Sequence, residues 1–366
     1  MVKIDTERKL NLSNIIYGAY TRHDVLRNLV YQTYGNSSIA EATKLNIFVD
    51  LNSILHGLYS EYNRIIFDNI TDISAGIINL CAHYRSFFRF IGVDTRFFLI
   101  NSLNTCDINT KFVAEYNAEF KRKSQITNTK KIIDNNMSLL KILCPYLPAI
   151  YYVESEQNFE TAVIIAHIIE QLNDPKPNFF ISRDFYPIQL VTKYRWTSYL
   201  CPKKALHRIE GMVADTSWML PINEKANFKE EFWKTISTIR NCSYNILSTM
   251  SPINYSLFTS MTKVPERNLK PLVQNNKARD LICSLVGSED VKIQLSQVIN
   301  NPNFNNYPLA QIDARYKVVD IDYMLSIYRN SPESKQLQFV DLEDVATVNR
   351  IAAKYYVNNP LELQKL

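Results

Sequence analysis

Residues 45–55, LNIFVDLNSIL, contain the apolar run Ile47, Phe48 and Val49, which ends in the charged residue Asp50. A short apolar run without polar interruption is typical of a strand that is buried on both faces, as in a parallel sheet. The stretch therefore predicts a buried parallel strand that carries a carboxylate at its carboxyl end.

Strand-like and helix-like segments alternate after this stretch. Four further strands are predicted, at RFFLINS (96–102), AIYYVES (149–155), NFFISRD (178–184) and TSYL (197–200). Segments with helical spacing of their apolar residues separate them, such as NFETAVIIAHIIEQL at 158–172. The alternation predicts an α/β domain over residues 45–205, with a mostly parallel sheet flanked by helices.

The two regions that flank this domain have different residue patterns. Residues 1–44 are polar with scattered apolar positions, which predicts a helical N-terminal extension. Beyond Pro202 the strand signals give way to helical spacing, with Asn-rich and Pro-containing joints. We therefore expect residues 206–366 to form a mainly helical C-terminal region.

The overall composition is that of a soluble globular protein. The chain has 366 residues, of which 46% are hydrophobic and 21% charged, and this excludes a collagen, a coiled coil or wholesale disorder. No apolar run approaches the ~18 residues that cross a bilayer, and the charged start shows no secretory signal. We expect an intracellular protein, in the cytoplasm or at a viral replication site, that is neither secreted nor bound to a membrane.

Residue usage points to the source and excludes some sites. Asn, Ile, Lys and Tyr are plentiful and only seven glycines occur, which is what the AT-rich genome of a virus or phage would produce. Gly-rich phosphate loops are absent. The six cysteines never fall at C-x-x-C spacing, so neither a zinc site nor a disulfide framework is predicted.

Acidic and amide side chains are predicted at one edge of the sheet. In open parallel sheets ligands bind at the carboxyl ends of the strands. The residues expected there are Asp50, Asn101, Glu154 and Asp184, with Glu160 entering on the helix after the third strand. Carboxylates gathered in one place repel one another, and a divalent cation such as Mg²⁺ or Mn²⁺ is a natural reason for a protein to tolerate this.

The order of these segments resembles the 5′-nuclease (flap endonuclease) superfamily and its PIN-domain relatives. FVDLNSIL looks like the opening strand of that family, which ends in a metal-binding Asp, here Asp50. NFETAVIIAHII is similar to the family's acidic helix, with Glu160 at the first acid. ISRDFYPIQLV resembles the motif S-x-D-x-D-x-x-Q-L and keeps Asp184 and Gln189.

The resemblance implies a PIN-like sheet and a metal site that has lost acids. Neutral residues stand at four positions where the active relatives have acidic ligands, namely Asn101, Ala162, Val163 and Tyr186. The candidate catalytic and metal-binding residues are therefore Asp50, Glu160 and Asp184, which would hold one Mg²⁺ or Mn²⁺ ion at most. We expect weak or no cleavage of nucleic acid.

A basic segment is the candidate nucleic-acid contact. KFVAEYNAEFKRKSQ at 111–125 resembles the part of the family's helical arch through which single strands pass. The net charge of +5 permits phosphate binding without arguing for it, so only a local patch would give affinity. The residues implied are Lys111, Lys121, Arg122, Lys123, Lys130 and Lys131.

Plainer explanations stay open for each of these residues. Asp50 and Asp184 could cap a helix and a turn, and Glu160 could simply favour the start of its helix through the dipole. The basic cluster could be a solvated helix face. Three functions follow: a nucleic-acid-binding or scaffolding protein with a degraded metal site, an active Mg²⁺- or Mn²⁺-dependent 5′-nuclease, or an unrelated α/β interaction protein of a virus or phage. Nucleic acid is the expected partner, with a protein as the second candidate.

Overall fold

A computed structural model describes most of the predicted α/β domain and the end of the chain. The described ranges are 44–51, 72–90, 92–102, 127–155, 159–173, 177–182, 188–194, 197–202, 217–220, 317–356 and 360–366, with a few isolated helical positions between 229 and 256. The predicted N-terminal extension and most of residues 206–316 lie outside the described residues.

A six-stranded sheet forms the centre of the described structure. Its strands are β1 (Lys44–Asp50), β2 (Asp94–Asn101), β3 (Ile150–Glu154), β4 (Asn178–Ile181), β5 (Thr197–Pro202) and β6 (Ser217–Leu220). They lie in the order β3-β2-β1-β4-β5-β6, with β1 to β5 mutually parallel and β6 antiparallel to β5. The predicted α/β class with a mostly parallel sheet is confirmed.

The central strands are apolar because both of their faces are covered. Every residue of β1 from Leu45 to Asp50 is buried, and so is every residue of β4. Ile47 of β1 aligns with Phe97 of β2 on one side and with Phe179 of β4 on the other. This is why the run around Ile47 is continuous and does not alternate with polar residues.

Four helices follow the parallel strands: α1 (Asp72–Phe90), α2 (Thr127–Leu143), α3 (Thr161–Leu172) and α4 (Ile188–Lys193). On one face, α1 and α2 bury Tyr84 and Leu140 in a common core with Leu99 of the sheet. On the other face, Phe48 stacks on Phe98 with ring centroids 4.9 Å apart and meets Phe180 edge to face at 5.5 Å.

The described C-terminal part is helical and packs on both faces of the sheet. It contains α5 (Ile321–Arg329), α6 (Pro332–Gln336) and α7 (Val345–Tyr355). Between α6 and α7, Phe339 packs edge to face on Phe98 with centroids 5.2 Å apart. After α7, the hydroxyl of Tyr356 donates to Ser74 Oγ at 2.9 Å, on α1 of the opposite face. The end of the chain is therefore part of the same packed structure as the sheet.

Side chains at the helix starts explain where α5 and α7 begin. Asp320 Oδ1 accepts hydrogen bonds from the backbone N–H groups of Asp322 and Tyr323, at 2.9 and 3.3 Å. Asp344 does the same for Thr347 at 3.1 Å. These bonds satisfy N–H groups that have no partner within the helix. Among the described helices, none is both long and apolar enough to cross a membrane.

Candidate functional site

The strand order reverses between β1 and β4, and this gives the sheet a topological switch point. β2 and β3 lie on one side of β1, whereas β4 and β5 lie on the other. Connections leave the two central strands in opposite directions there, which opens a crevice outside their carboxyl ends. Asp50 is the last residue of β1, and Ser182 directly follows β4. Both residues therefore lie at the place where a fold of this kind binds its ligand.

Asp50 is a buried carboxylate held by two hydroxyl groups. Asp50 is 4% exposed. Oδ1 accepts a hydrogen bond from Thr161 Oγ1 at 3.2 Å, and Oδ2 accepts one from Ser182 Oγ at 2.7 Å. Thr161 is the first residue of α3, so the helix start brings its hydroxyl to the strand end. A buried carboxylate is costly unless it is hydrogen-bonded, and these two donors supply the bonds.

A third hydroxyl extends this arrangement. Ser102, which follows β2, places its Oγ 2.8 Å from Thr161 Oγ1. A threonine hydroxyl has one proton, and Thr161 gives it to Asp50, so Ser102 is the donor in the second bond. We call Asp50, Ser102, Thr161 and Ser182 the hydroxyl cluster. It stabilises a carboxylate with neutral donors.

Asn101 and Glu154 also end their strands, but they lie on the other face of the sheet from the hydroxyl cluster. Asp50 aligns with Ile100, and Asn101 aligns with Glu154. Successive side chains of a strand point to opposite faces, so Asn101 points away from the face of Asp50. Near the end of β2, the residue connected to Asp50 is Ser102. Its hydroxyl bonds to that of Thr161, which in turn donates to Asp50. The sequence-based expectation gathered Asn101 and Glu154 with Asp50 at one edge; they share the edge and not the face.

The pair on the opposite face forms a small polar group with α2. Asn101 Nδ2 donates to Tyr152 Oη at 2.6 Å and to Glu154 Oε1 at 3.3 Å. Lys141 Nζ forms an ion pair with Glu154 Oε2 at 2.6 Å. Burial, and then the charge of Glu154, raises the pKa of the Tyr152 hydroxyl above its usual range. The contact with Lys141 gives Glu154 a structural role on this face.

Glu160 lies immediately before α3 and next to the hydroxyl cluster. It occupies the N-cap position with its side chain half-buried, and that side chain makes no capping hydrogen bond. Its backbone carbonyl accepts from Val163 N at 2.9 Å, which begins the helix. A carboxylate at this position is also favoured by the helix dipole. Asp184 lies outside the described residues, so its place relative to Asp50 and Glu160 stays a prediction.

The described residues supply few metal ligands beside Asp50. Each of its carboxylate oxygens accepts one hydroxyl proton and keeps a second lone pair, so the two hydrogen bonds do not by themselves exclude an ion. Within the described part of the chain, no group of three or more His, Cys, Asp or Glu side chains is placed to hold a metal.

The start of α2 extends past the carboxyl edge of the sheet. α1 ends at Phe90, four residues before β2 begins, so its first turn lies at the opposite, carboxyl edge. There the Ser74 N–H donates to Asn136 Oδ1 of α2 at 2.8 Å. Lys130 and Lys131 precede Asn136 by about one and a half turns, or roughly 8 Å of helix axis. The backbone of α2 therefore carries both lysines beyond the edge. Lys111, Lys121, Arg122 and Lys123 lie outside the described residues.

Gln189, the glutamine of the S-x-D-x-D-x-x-Q-L motif, has a structural role. It is 8% exposed on α4, and its Nε2 donates to Val319 O at 2.9 Å and to Ser256 Oγ at 3.1 Å. These bonds tie α4 to a helical position at 256 and to the segment before α5. Sequence reasoning missed Ser102, Thr161 and Ser182 as site residues. Ser182 was nevertheless visible as the serine of the S-x-D motif, and Thr161 as the neighbour of Glu160.

Comparison with known proteins shows a partial similarity to a viral protein. No family model matches the chain. Over 177 residues it is 26% identical to Non-structural protein 1 of Rotavirus A, a match that covers 47% of this chain. The chain spans only 32% of the length of that relative.

Proposed function

We propose that this chain is a 5′-nuclease/PIN-like protein that binds nucleic acid, or acts as a scaffold on it, with a degraded metal site and weak or no cleavage. The observation that carries the proposal is the hydroxyl cluster. An acid at the end of the opening strand is retained, and the hydroxyls of Thr161 and Ser182, which carry no negative charge, contact it where an active site would hold further carboxylates.

The sheet supports the fold part of this proposal. The opening strand is central, and its terminal Asp50 lies at the switch point between β1 and β4. Ligands of open parallel sheets bind at such a point, so the location of Asp50 supports the proposal of a PIN-like site. The fold by itself does not determine function, which depends on the chemistry of the site.

The chemistry of the hydroxyl cluster supports binding over cleavage. Two-metal hydrolysis of a phosphodiester needs enough carboxylates to offset about four positive charges. Ser102, Thr161 and Ser182 add no negative charge, and Glu154 is paired with Lys141 on the other face. The remaining acids, Glu160 and the predicted Asp184, leave room for one Mg²⁺ or Mn²⁺ ion at most.

The charge at the same edge supports a polyanionic ligand. Lys130 and Lys131 lie on the part of α2 that extends past the carboxyl edge. The basic residues of 111–123 precede this helix in the chain, and their contact with phosphates stays a prediction. Phosphate neutralisation by lysine and arginine supplies most non-specific affinity for nucleic acid, and it weakens as salt rises.

The test compares two charge-matched variants in single-strand binding. We expect Lys130→Gln with Lys131→Gln to weaken the binding of a labelled single-stranded oligonucleotide in EDTA, and to lower the slope of log K against log salt by roughly one to two. The control is Lys44→Gln with Arg89→Gln, which removes the same charge at the amino edge of the sheet. Equal losses in both variants, or none in either, would contradict the proposed surface.

A further inference from the structure

The contact between α3 and α5 holds a histidine among buried groups. Tyr328 of α5 is 1% exposed and meets the ring of Phe159 edge to face, with centroids 4.8 Å apart. The same tyrosine packs against His167 of α3 at 5.1 Å, with the ring planes inclined by 79°. His167 therefore lies in the seam that docks the C-terminal helices on the sheet domain.

One nitrogen of the His167 ring has a hydrogen-bond partner, and in the described structure the other has none. A hydrogen bond with the backbone of Ser334 links the imidazole to α6. Its Nε2 is buried, and in the described structure it has no hydrogen-bond partner. A protonated imidazole has two N–H donors, so protonation would add a charge and a donor at a buried position that offers that donor no acceptor.

The charged groups around this seam already have other partners. Glu170, one turn further along α3, accepts a hydrogen bond from Tyr194 Oη at 3.1 Å and forms an ion pair with Arg329 of α5. On α6, Glu333 Oε2 accepts from Ser155 Oγ at 3.0 Å. The other charged residues nearby on these elements are Lys193 and Asp322, which pair with each other, and the exposed Lys335.

The balance of these effects favours the neutral imidazole. Burial is the largest influence and lowers the pKa of His167, while the Ser334 bond and the charge of Glu170 oppose it less strongly. When the seam opens, the ring regains an ordinary pKa of about 6.5. The free energy that favours the docked state of α5 and α6 is therefore at its full value above that pH. It decreases as the pH falls through the lower pKa that His167 has in the docked state.

We propose that His167 is a pH-sensitive latch, whose protonation weakens the docking of α5 and α6 on α3. The consequence reaches the candidate site through Ser155. Its hydroxyl donates to Glu333 of α6 and accepts from Phe159 N at 2.9 Å, directly before Glu160 and Thr161. When α5 and α6 detach from α3, Ser155 loses its bond to Glu333, and the segment that leads to Glu160 and Thr161 is held less firmly. The inference goes beyond the proposed function and does not depend on it.

Hydrogen exchange on the full chain tests the latch. Opening constants, corrected for intrinsic exchange at each pH, are measured for peptides that cover 321–336 and 127–143 between pH 7.5 and 5. We expect opening of 321–336 to increase below pH 6.5, by up to about tenfold per pH unit. The peptides of α2, which contains no histidine, should show no such increase. An equal pH dependence in both regions of the wild-type protein would overturn the proposal.

Two substitutions assign the effect to one histidine. His167→Gln keeps a side-chain donor for Ser334 but cannot titrate, so opening of 321–336 should become independent of pH in this range. His83→Gln, on α1 at the other face of the sheet, should behave like the wild type. Retention of the full wild-type pH dependence in His167→Gln would also overturn the proposal.

Discussion

The hydroxyl of Ser182 donates to Asp50 Oδ2 at 2.7 Å, and this bond joins the ends of β4 and β1 where the sheet changes direction. It has the length of a strong bond to a charged acceptor. The two residues are 132 positions apart, so the bond is also a long-range tie in the centre of the sheet.

Loss of this hydroxyl should destabilise the protein. Ser182→Ala removes a hydrogen-bond donor from a buried carboxylate, and we expect the free energy of unfolding to fall by about 1–3 kcal/mol. Urea unfolding followed by circular dichroism measures the change. Ser138→Ala is the control, because that exposed hydroxyl bonds only to the carbonyl of Asp134 in its own helix. Equal effects in the two variants would show that the Asp50 contact contributes little.

Cleavage should be weak or absent although Asp50 lies at the carboxyl end of the central strand β1. We expect no turnover of single-stranded or flap DNA in millimolar Mg²⁺ and at most slow turnover in Mn²⁺, because a second ion lacks carboxylate ligands. The assay compares the wild type with Asp184→Asn under both metals. Robust Mg²⁺-dependent cleavage that this substitution abolishes would favour the active-nuclease alternative.

The N-cap of α5 should contribute measurably to stability. Asp320→Ala removes the acceptor of two backbone N–H groups, and a loss of about 1 kcal/mol is expected in thermal or urea unfolding. Asp320→Ser retains a capping oxygen and should lose only a small part of this. If serine fails to rescue the alanine variant, the effect comes from the charge and not from the cap.

The two cysteines of the hydrophobic core, Cys81 and Cys144, should resist alkylation in the folded protein. Cys81 and Cys144 are completely buried, and burial raises the pKa of the Cys81 thiol to about 12. The thiolate is the reactive form, so iodoacetamide at pH 8 should leave both residues unmodified. Peptide mass spectrometry reads out the labelling, and the same reaction in 6 M urea (about the concentration that unfolds most domains) should modify both. Rapid labelling of either residue without denaturant would mean that the core around α1 opens readily.

The strands were predictable because their signal is local. The runs at Ile47, Phe97 and Phe179 are apolar without interruption, and each became a parallel strand buried on both faces. The short β6 and helices α5 and α6 were not predicted. Pro332 and the polar residues around it interrupt the helical spacing, and the caps at Asp320 and Ser331 determine where these helices begin.

The candidate site could be predicted only in part, because its geometry depends on strand register. The sequence identifies Asp50 as a strand end, but it does not reveal that Asp50 aligns with Ile100. That alignment turns Asn101 to the opposite face and brings Ser102 toward Thr161. A shift of one residue would exchange the two faces, and nothing in the local pattern distinguishes the two registers.

The bond between Tyr356 and Ser74 has a consequence for how the chain acquires its structure during synthesis. The two residues are 282 positions apart, and Tyr356 is 1% exposed against the face formed by α1. A ribosome that has made only the five parallel strands has not yet supplied Tyr356, which packs on α1, or Phe339, which packs on Phe98 at the other face of the sheet. Contacts of such long range form late and slow the folding of a domain. The contacts of Tyr356 with Ser74 and of Phe339 with Phe98 can therefore form only after the last fifty residues have been synthesised.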